Sequence, residues 1–196
     1  MHTPSHMLIG AALYGRRRAG FVWAALLGGL LPDVPMFLLF AAARMAGADA
    51  HAIFEQAYFS PGWQAANGLA HSLLLWPLLL AAALALHGRA RGAGSGRYAP
   101  LAAFAASGLT HAVVDFLCHR EDAHMHFWPL SRWKFMSPVS YYERAHFGGT
   151  FMVAEVALGL ASAAWLIVAV RHWPTRIAAG FLTLPYLLLA GWLMMR

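Results

Sequence analysis

The chain has 196 residues, 60% of them hydrophobic and only 11% charged. Soluble domains of this size carry about a quarter charged residues, so a soluble enzyme is excluded. One membrane-embedded domain over residues 1–196 is expected instead. The formal charge of +6 does not point to nucleic acid, because the cations sit in short loops between apolar runs and form no basic face or binding motif.

The segment Met1 to Gly10 has no basic n-region and no small-residue cleavage site, so no cleaved signal peptide is expected. A short apolar stretch, about Ser5 to Tyr14, predicts a short N-terminal helix. Five longer runs follow: about Gly20 to Ala43, Gly68 to His87, Ala99 to Cys118, Phe151 to Val170 and Ile177 to Met195. Each has the length, or nearly the length, needed to cross a bilayer. The fold class predicted is therefore all-α, a polytopic membrane bundle with about five spans plus the short N-terminal helix. Gly88 to Gly96 is a flexible Gly/Arg loop, and no internal repeat is present.

Charge sets the orientation. Arg16, Arg17 and Arg18 precede the first span, Arg89, Arg91 and Arg97 lie between the second and third, and Arg171 and Arg176 lie between the fourth and fifth. None of these loops holds an acid, and alternate loops share a side, so the positive-inside rule places all three in the cytoplasm. The longer loops, about residues 44–67 and 119–150, then face outward. Trp63, Trp76, Trp128, Trp133, Trp165, Trp173 and Trp192 fall mostly near span ends, as an interfacial aromatic belt does. Abundant Ala and the use of Arg over Lys suggest a bacterial source, hence a bacterial inner membrane with the site on the periplasmic side.

Ionisable groups inside spans cost roughly 2.5–3.5 kcal/mol each at the helix centre on insertion scales, so each is a functional candidate. They are Asp33, His111, Asp115 and Glu155, with His71 near the start of its span and His6 in the N-terminal stretch. Helix rise places His6, Asp33, His71, His111 and Asp115 in one slab, about 15–27 Å above the cytoplasmic boundary. His111 and Asp115 are at i and i+4, which projects imidazole and carboxylate from one helix face, a common way to hold a divalent metal. Asp33 lies between Pro32 and Pro35 and follows Gly28 and Gly29. Proline breaks the helix there, and freed backbone is tolerated in a membrane only where protein or a polar cavity covers it.

Directly after Asp115 come His119, Arg120, Glu121, Asp122, His124 and His126, which could cap the site from the aqueous side. One of His124 and His126 is expected to bind and the other not, since alternate residues of an extended segment point opposite ways. His146 and Glu155 complete the candidate ligands, and Arg120, Arg132 and Lys134 are candidates for holding an anionic head group. His2 is expected to be solvated and the lone Cys118 to be packing.

The N-terminal TPSH, the GGLLPDVP helix, the AHS start, the HxxxD helix and HFWPLSRWKF together resemble the YdjM-like inner-membrane proteins, over most of the chain to about Phe147. Ala66, Asn67 and Ala70 stand where that family often has His-Arg and Thr. The resemblance implies a membrane-bound metal-dependent hydrolase. In ligand order the chain is also similar to zinc-dependent phospholipase C and the P1-type nucleases: His6, Asp33, His71, His111 with Asp115, His124 (or His119), His146 and Glu155. That similarity implies a phosphoesterase with two or three metals.

The resulting expectation is a metal-dependent hydrolase of a lipid or lipid-linked phosphoester, with zinc as the default metal and manganese as the alternative. Asp33 or Asp122 would serve as general base. A metal transporter or sensor would use the same ligands but needs a polar path to the cytoplasmic side, and the inner halves of the spans are nearly free of polar ligands. A haem protein could use His71 and His111 as axial ligands but would not need Asp33 and Asp115 beside them. A structural metal in a non-catalytic scaffold is the third alternative.

Overall fold

The computed structural model describes residues 1–16, 18–92 and 99–187. Arg17, Arg97 and Trp192, and the end of the fifth apolar run, lie outside the described residues. The described residues form helices α1 (Thr3–Tyr14), α2 (Ala19–Leu30), α3 (Val34–Met45), α4 (Ala50–Glu55), α5 (Pro61–Ala70), α6 (Leu75–Gly92), α7 (Ala99–Cys118), α8 (Gly148–Ala169) and α9 (Trp173–Phe181). The molecule is an all-α membrane bundle. Four stretches are long and apolar enough to cross a membrane: Ala19–Met45, Pro61–Ala90, Ala99–Cys118 and Gly148–Ala169.

Two of these four are discontinuous. The first is interrupted by a 3-10 turn, Leu31–Asp33, where Pro32 and Pro35 withhold N–H groups from the α-helical ladder. The second is interrupted between α5 and α6, at His71 to Leu74. There the outer loop replaces the missing intrahelical partners. Leu73 N–H donates to the His126 carbonyl (2.8 Å), and Ser72 Oγ donates to the Trp128 carbonyl (2.8 Å). Buried backbone polar groups inside a membrane must find partners in the protein, and this docking supplies them.

α7 is central and packs against α1, α2 and α6. Small residues let the axes approach. A Cβ at Gly28 would stand 2.1 Å from the Phe104 carbonyl oxygen, and one at Gly29 would stand 2.8 Å from that of His6. Leu8, Ala11, Val22, Ala25, Leu26, Ala163 and Leu166 form an apolar core between α1, α2 and α8. Leu38, Leu78, Val153 and Val168 point outward and are largely exposed, which suits a lipid-facing surface and not a water-facing one. Trp76 departs from the belt expected of it. It is buried, its ring lies against Gly108, and its indole N–H donates to the Ala70 carbonyl (2.7 Å), so it closes the second helix break.

Candidate metal centre

Both helix breaks and the end of α7 deliver side chains to one place. Asp33 comes from the first break and His71 from the second, while His111, Asp115 and His119 lie on one face of α7 and just beyond it. Asp33, His71, His111 and Asp115 each offer one ligand atom, all within 4.8 Å of one another. Asp115, His119 and His124 form a second such group. Asp115 belongs to both, and its two oxygens divide between them. Oδ2 lies 3.0 Å from His111 Nε2 and 3.4 Å from His71 Nε2, while Oδ1 lies 3.4 Å from His119 Nε2. Asp33 Oδ1 closes the first group, 3.5 Å from His111 Nε2 and 3.6 Å from His71 Nε2.

The outer partners fix which nitrogen faces the centre. His111 Nδ1 is 2.7 Å from the Gly29 carbonyl and His71 Nδ1 is 2.9 Å from the Asn67 carbonyl. A carbonyl only accepts, so each Nδ1 carries a proton and each ring turns its Nε2 inward. Both Nε2 atoms then face carboxylate oxygens, and among the described residues His71 Nε2 has no hydrogen-bond partner. Among the described residues no Lys or Arg pairs with these carboxylates. Two buried acids opposite inward-facing imidazoles fit a bound divalent cation.

His6, from α1, stacks on His111 with ring centroids 3.5 Å apart and places Nε2 2.9 Å from Asp115 Oδ1. The Met1 amino group lies 2.8 Å from the same oxygen and 3.3 Å from Cys118 Sγ. His6 thus stands beside the shared carboxylate but in neither group. Asp122 Oδ2 lies 2.9 Å from His119 Nδ1, where it orients that ring. Thr3 Oγ1 donates to Asp33 Oδ2 at 2.5 Å.

Of the two alternating loop histidines, His124 joins the second group and stacks on His71 at 3.9 Å. His126 turns away, with Nδ1 donating to the His124 carbonyl (3.1 Å) and its ring edge-on to Phe116. Burial, reinforced by the neighbouring His71, pushes the His124 imidazole well below its ordinary pKa, which keeps it unprotonated. Burial takes His126 down to about 4. His124→Ala should therefore lower bound metal, whereas His126→Ala should leave the metal-to-protein ratio unchanged, as read by elemental analysis of the purified chains.

His146 and Glu155 lie outside both groups. His146 ends the short turn Arg144–His146, and its carbonyl accepts from Ser140 N–H (2.8 Å). Glu155 is buried on α8, and its Oε1 accepts from His2 N–H (2.8 Å) and Ser5 Oγ (2.6 Å). Its carboxylate is thus engaged in holding the N-terminal segment. His2, expected to be solvated, is half-exposed and tied to this carboxylate.

A cavity of about 860 Å³ opens off the cluster, and Asp33, His71, His119, Asp122 and His124 line it. Arg120, Arg132 and Lys134 are not among its lining residues. Arg120 donates to the Ser137 carbonyl (3.1 Å), Arg132 lies over the Trp128 ring and Lys134 over the Phe59 ring. Tyr58 and Tyr141, also in the wall, have pKa values raised by burial and remain phenols. Comparison with family models, with curated proteins and with solved structures gives no match.

Proposed function

We propose that the chain is a metal-dependent hydrolase that cleaves a phosphoester of a lipid or lipid-linked substrate at the outer side of a bacterial inner membrane. One observation carries the reading: Asp115 is shared by two ligand groups, whose other members Asp33, His71, His119 and His124 line a cavity with both polar and apolar side chains in its wall. A carboxylate bridging two sites is the arrangement by which paired cations are held a few ångströms apart, as phosphoester hydrolysis commonly uses. The YdjM-like motifs and the ligand order shared with zinc-dependent phospholipases support the same reading. The outward orientation rests on the arginines of the three short loops.

Asp33, His71, His111 and Asp115 would hold one cation, with Asp115, His119 and His124 holding another. Zinc suits this mixed imidazole and carboxylate set, with manganese as the alternative. When bound, such cations lower the pKa of water and polarise the phosphoryl oxygens. The chain supplies the rest. Asp122, on the cavity wall beside His119, is placed to take a proton from water, and Asp33 is the second carboxylate within reach. The water oxygen bonds to phosphorus, the ester P–O bond breaks, and the proton ends on the departing oxygen. The apolar wall excludes competing water.

Elemental analysis of the purified chain, followed by phosphate release from phospholipids and lipid phosphates with and without a chelator, tests the proposal. Stoichiometric zinc or manganese and turnover abolished by the chelator are expected. A metal-free chain that still folds would remove the reading, and metal without turnover on any lipid would leave a sensor or structural site.

A further inference from the structure

A second, smaller hollow lies at the other end of the bundle. Ala99, Ala102, Ala103 and Ala106 line it from α7. Their spacing of i, i+3, i+4 and i+7 puts four methyl groups on one helix face, so no long side chain of α7 fills the space. Leu80, Leu84 and His87 complete it from one face of α6, and about 220 Å³ is left between them. Helix rise sets Ala99 about 24 Å from Asp115 along α7, so this hollow is separate from the metal centre. Leu13 and Leu84 line it and are largely exposed, so it opens on the surface that meets lipid.

None of the eight acidic residues lines the hollow. Arg16 does, exposed in the turn before α2, with its guanidinium 5.7 Å from the centroid of the Phe21 ring. Among the described residues Arg16 enters no ion pair. His87 Nδ1 is buried and has no hydrogen-bond partner among them either. The Tyr14 hydroxyl is already bonded to Thr110 Oγ1 (2.8 Å). A guanidinium and an imidazole are thus left to meet a ligand, and both can donate to an anion.

We propose that this hollow binds an anionic phospholipid of the leaflet on the arginine-rich side. Its phosphate lies at Arg16 and His87, and the first part of one acyl chain lies against the alanine face of α7. A soluble anion gains nothing from that face, and a zwitterionic lipid brings an ammonium ion where no acid can meet it. Basic pockets between spans on the positive side are a recurrent form of lipid site. Helices α1, α2, α6 and α7 all wall the hollow, and their far ends carry or adjoin His6, Asp33, His71 and His111. The lipid therefore braces the helices that position the metal centre and is not its substrate.

The test uses the full chain in detergent, exchanged against equimolar phosphatidylglycerol and phosphatidylethanolamine with identical acyl chains. Retained lipid is counted by native mass spectrometry, and thermal unfolding is followed with each lipid. The wild type should retain phosphatidylglycerol over phosphatidylethanolamine by about fivefold or more, the worth of one cation near a lipid surface. Phosphatidylglycerol should also raise its unfolding midpoint. The double variant Arg16→Gln with His87→Gln should bring the ratio to within about twofold of unity and cancel that rise. Arg171→Gln removes an exposed arginine of the same side that does not line the hollow, and should keep the wild-type ratio. Ala102→Leu, which fills the hollow, should lower retained phosphatidylglycerol several-fold. Circular dichroism should show equal helix content in all four chains. Lipid held beside the metal centre is common to them and cancels from the comparison.

Equal retention of the two lipids by the wild type, or a preference that survives in the double variant, would overturn the site. An equal fall in Arg171→Gln would overturn it too, reducing the preference to general surface charge. Retention unchanged by Ala102→Leu would overturn the place of the acyl chain. Sodium phosphate displacing the lipid at equal concentration would overturn the lipid part, leaving a free anion as the ligand.

Discussion

Asp115→Asn should empty both halves of the centre at once. The substitution keeps the shape of the side chain but removes the charge that both ligand groups share. Loss of an outer-shell partner typically weakens metal binding ~10–100-fold, and loss of a shared first ligand should exceed that. Metal per chain should fall below a tenth of the wild-type value under the same purification, with turnover lost alongside. Asp122→Asn is the informative contrast. The Asp122 carboxylate lies against His119 and belongs to neither ligand group, so its variant should weaken the His119 and His124 half and leave the other half occupied. If Asp115→Asn retains half of the metal, the carboxylate does not bridge.

The second large effect concerns shape. Gly28→Ala puts a Cβ at 2.1 Å from the Phe104 carbonyl oxygen; the Cβ is fixed to one helix backbone and the oxygen belongs to another, so no side chain can swing aside. Overpacking of this kind costs about 1–3 kcal/mol in soluble cores, and a rigid backbone contact belongs at the upper end. Separation of α2 from α7 would also draw Asp33 away from His111. Thermal unfolding in detergent should therefore drop together with metal content. Gly20→Ala, on the same helix with nothing within 4 Å of the added Cβ, should leave both unchanged or slightly improved. An equal loss in the two variants would mean that helix approach is not what Gly28 provides.

Most of the bundle is legible in the sequence because each span states its own boundaries through apolar length and flanking arginines. α7 runs from Ala99 to Cys118, as its apolar run does. The break at Asp33 is legible too, since two prolines flank the acid. The break at His71 is written less plainly. Its signals are Ser72, whose Oγ accepts from the N–H groups of Leu74 and Leu75, and Pro77 in the first turn of α6. They are the marks of a helix start inside an otherwise continuous apolar run. Apolar length alone averages over them.

The members of the cluster are legible for a related reason. His111 and Asp115 are neighbours on one helix face, and helix rise fixes the height of the rest. Rise gives height but not azimuth, so it cannot separate Glu155, at a plausible depth, from a ligand. Only tertiary packing shows Glu155 bonded to His2 and Ser5. The choice between His124 and His126 needed the loop's path, and the fate of Arg120, Arg132 and Lys134 needed the carbonyls and rings that hold them.

The break between α5 and α6 ties the site to the loop in one further way. Leu73 N–H, inside a span, is satisfied by the carbonyl of His126 in the loop segment that also carries His124. Its protection against hydrogen exchange is therefore a property of the loop and not of the helix. Whatever free energy opens the loop also exposes this amide and withdraws His124 from the centre. The local opening equilibrium of a few outer-loop residues thus limits how long any ion resides in the site.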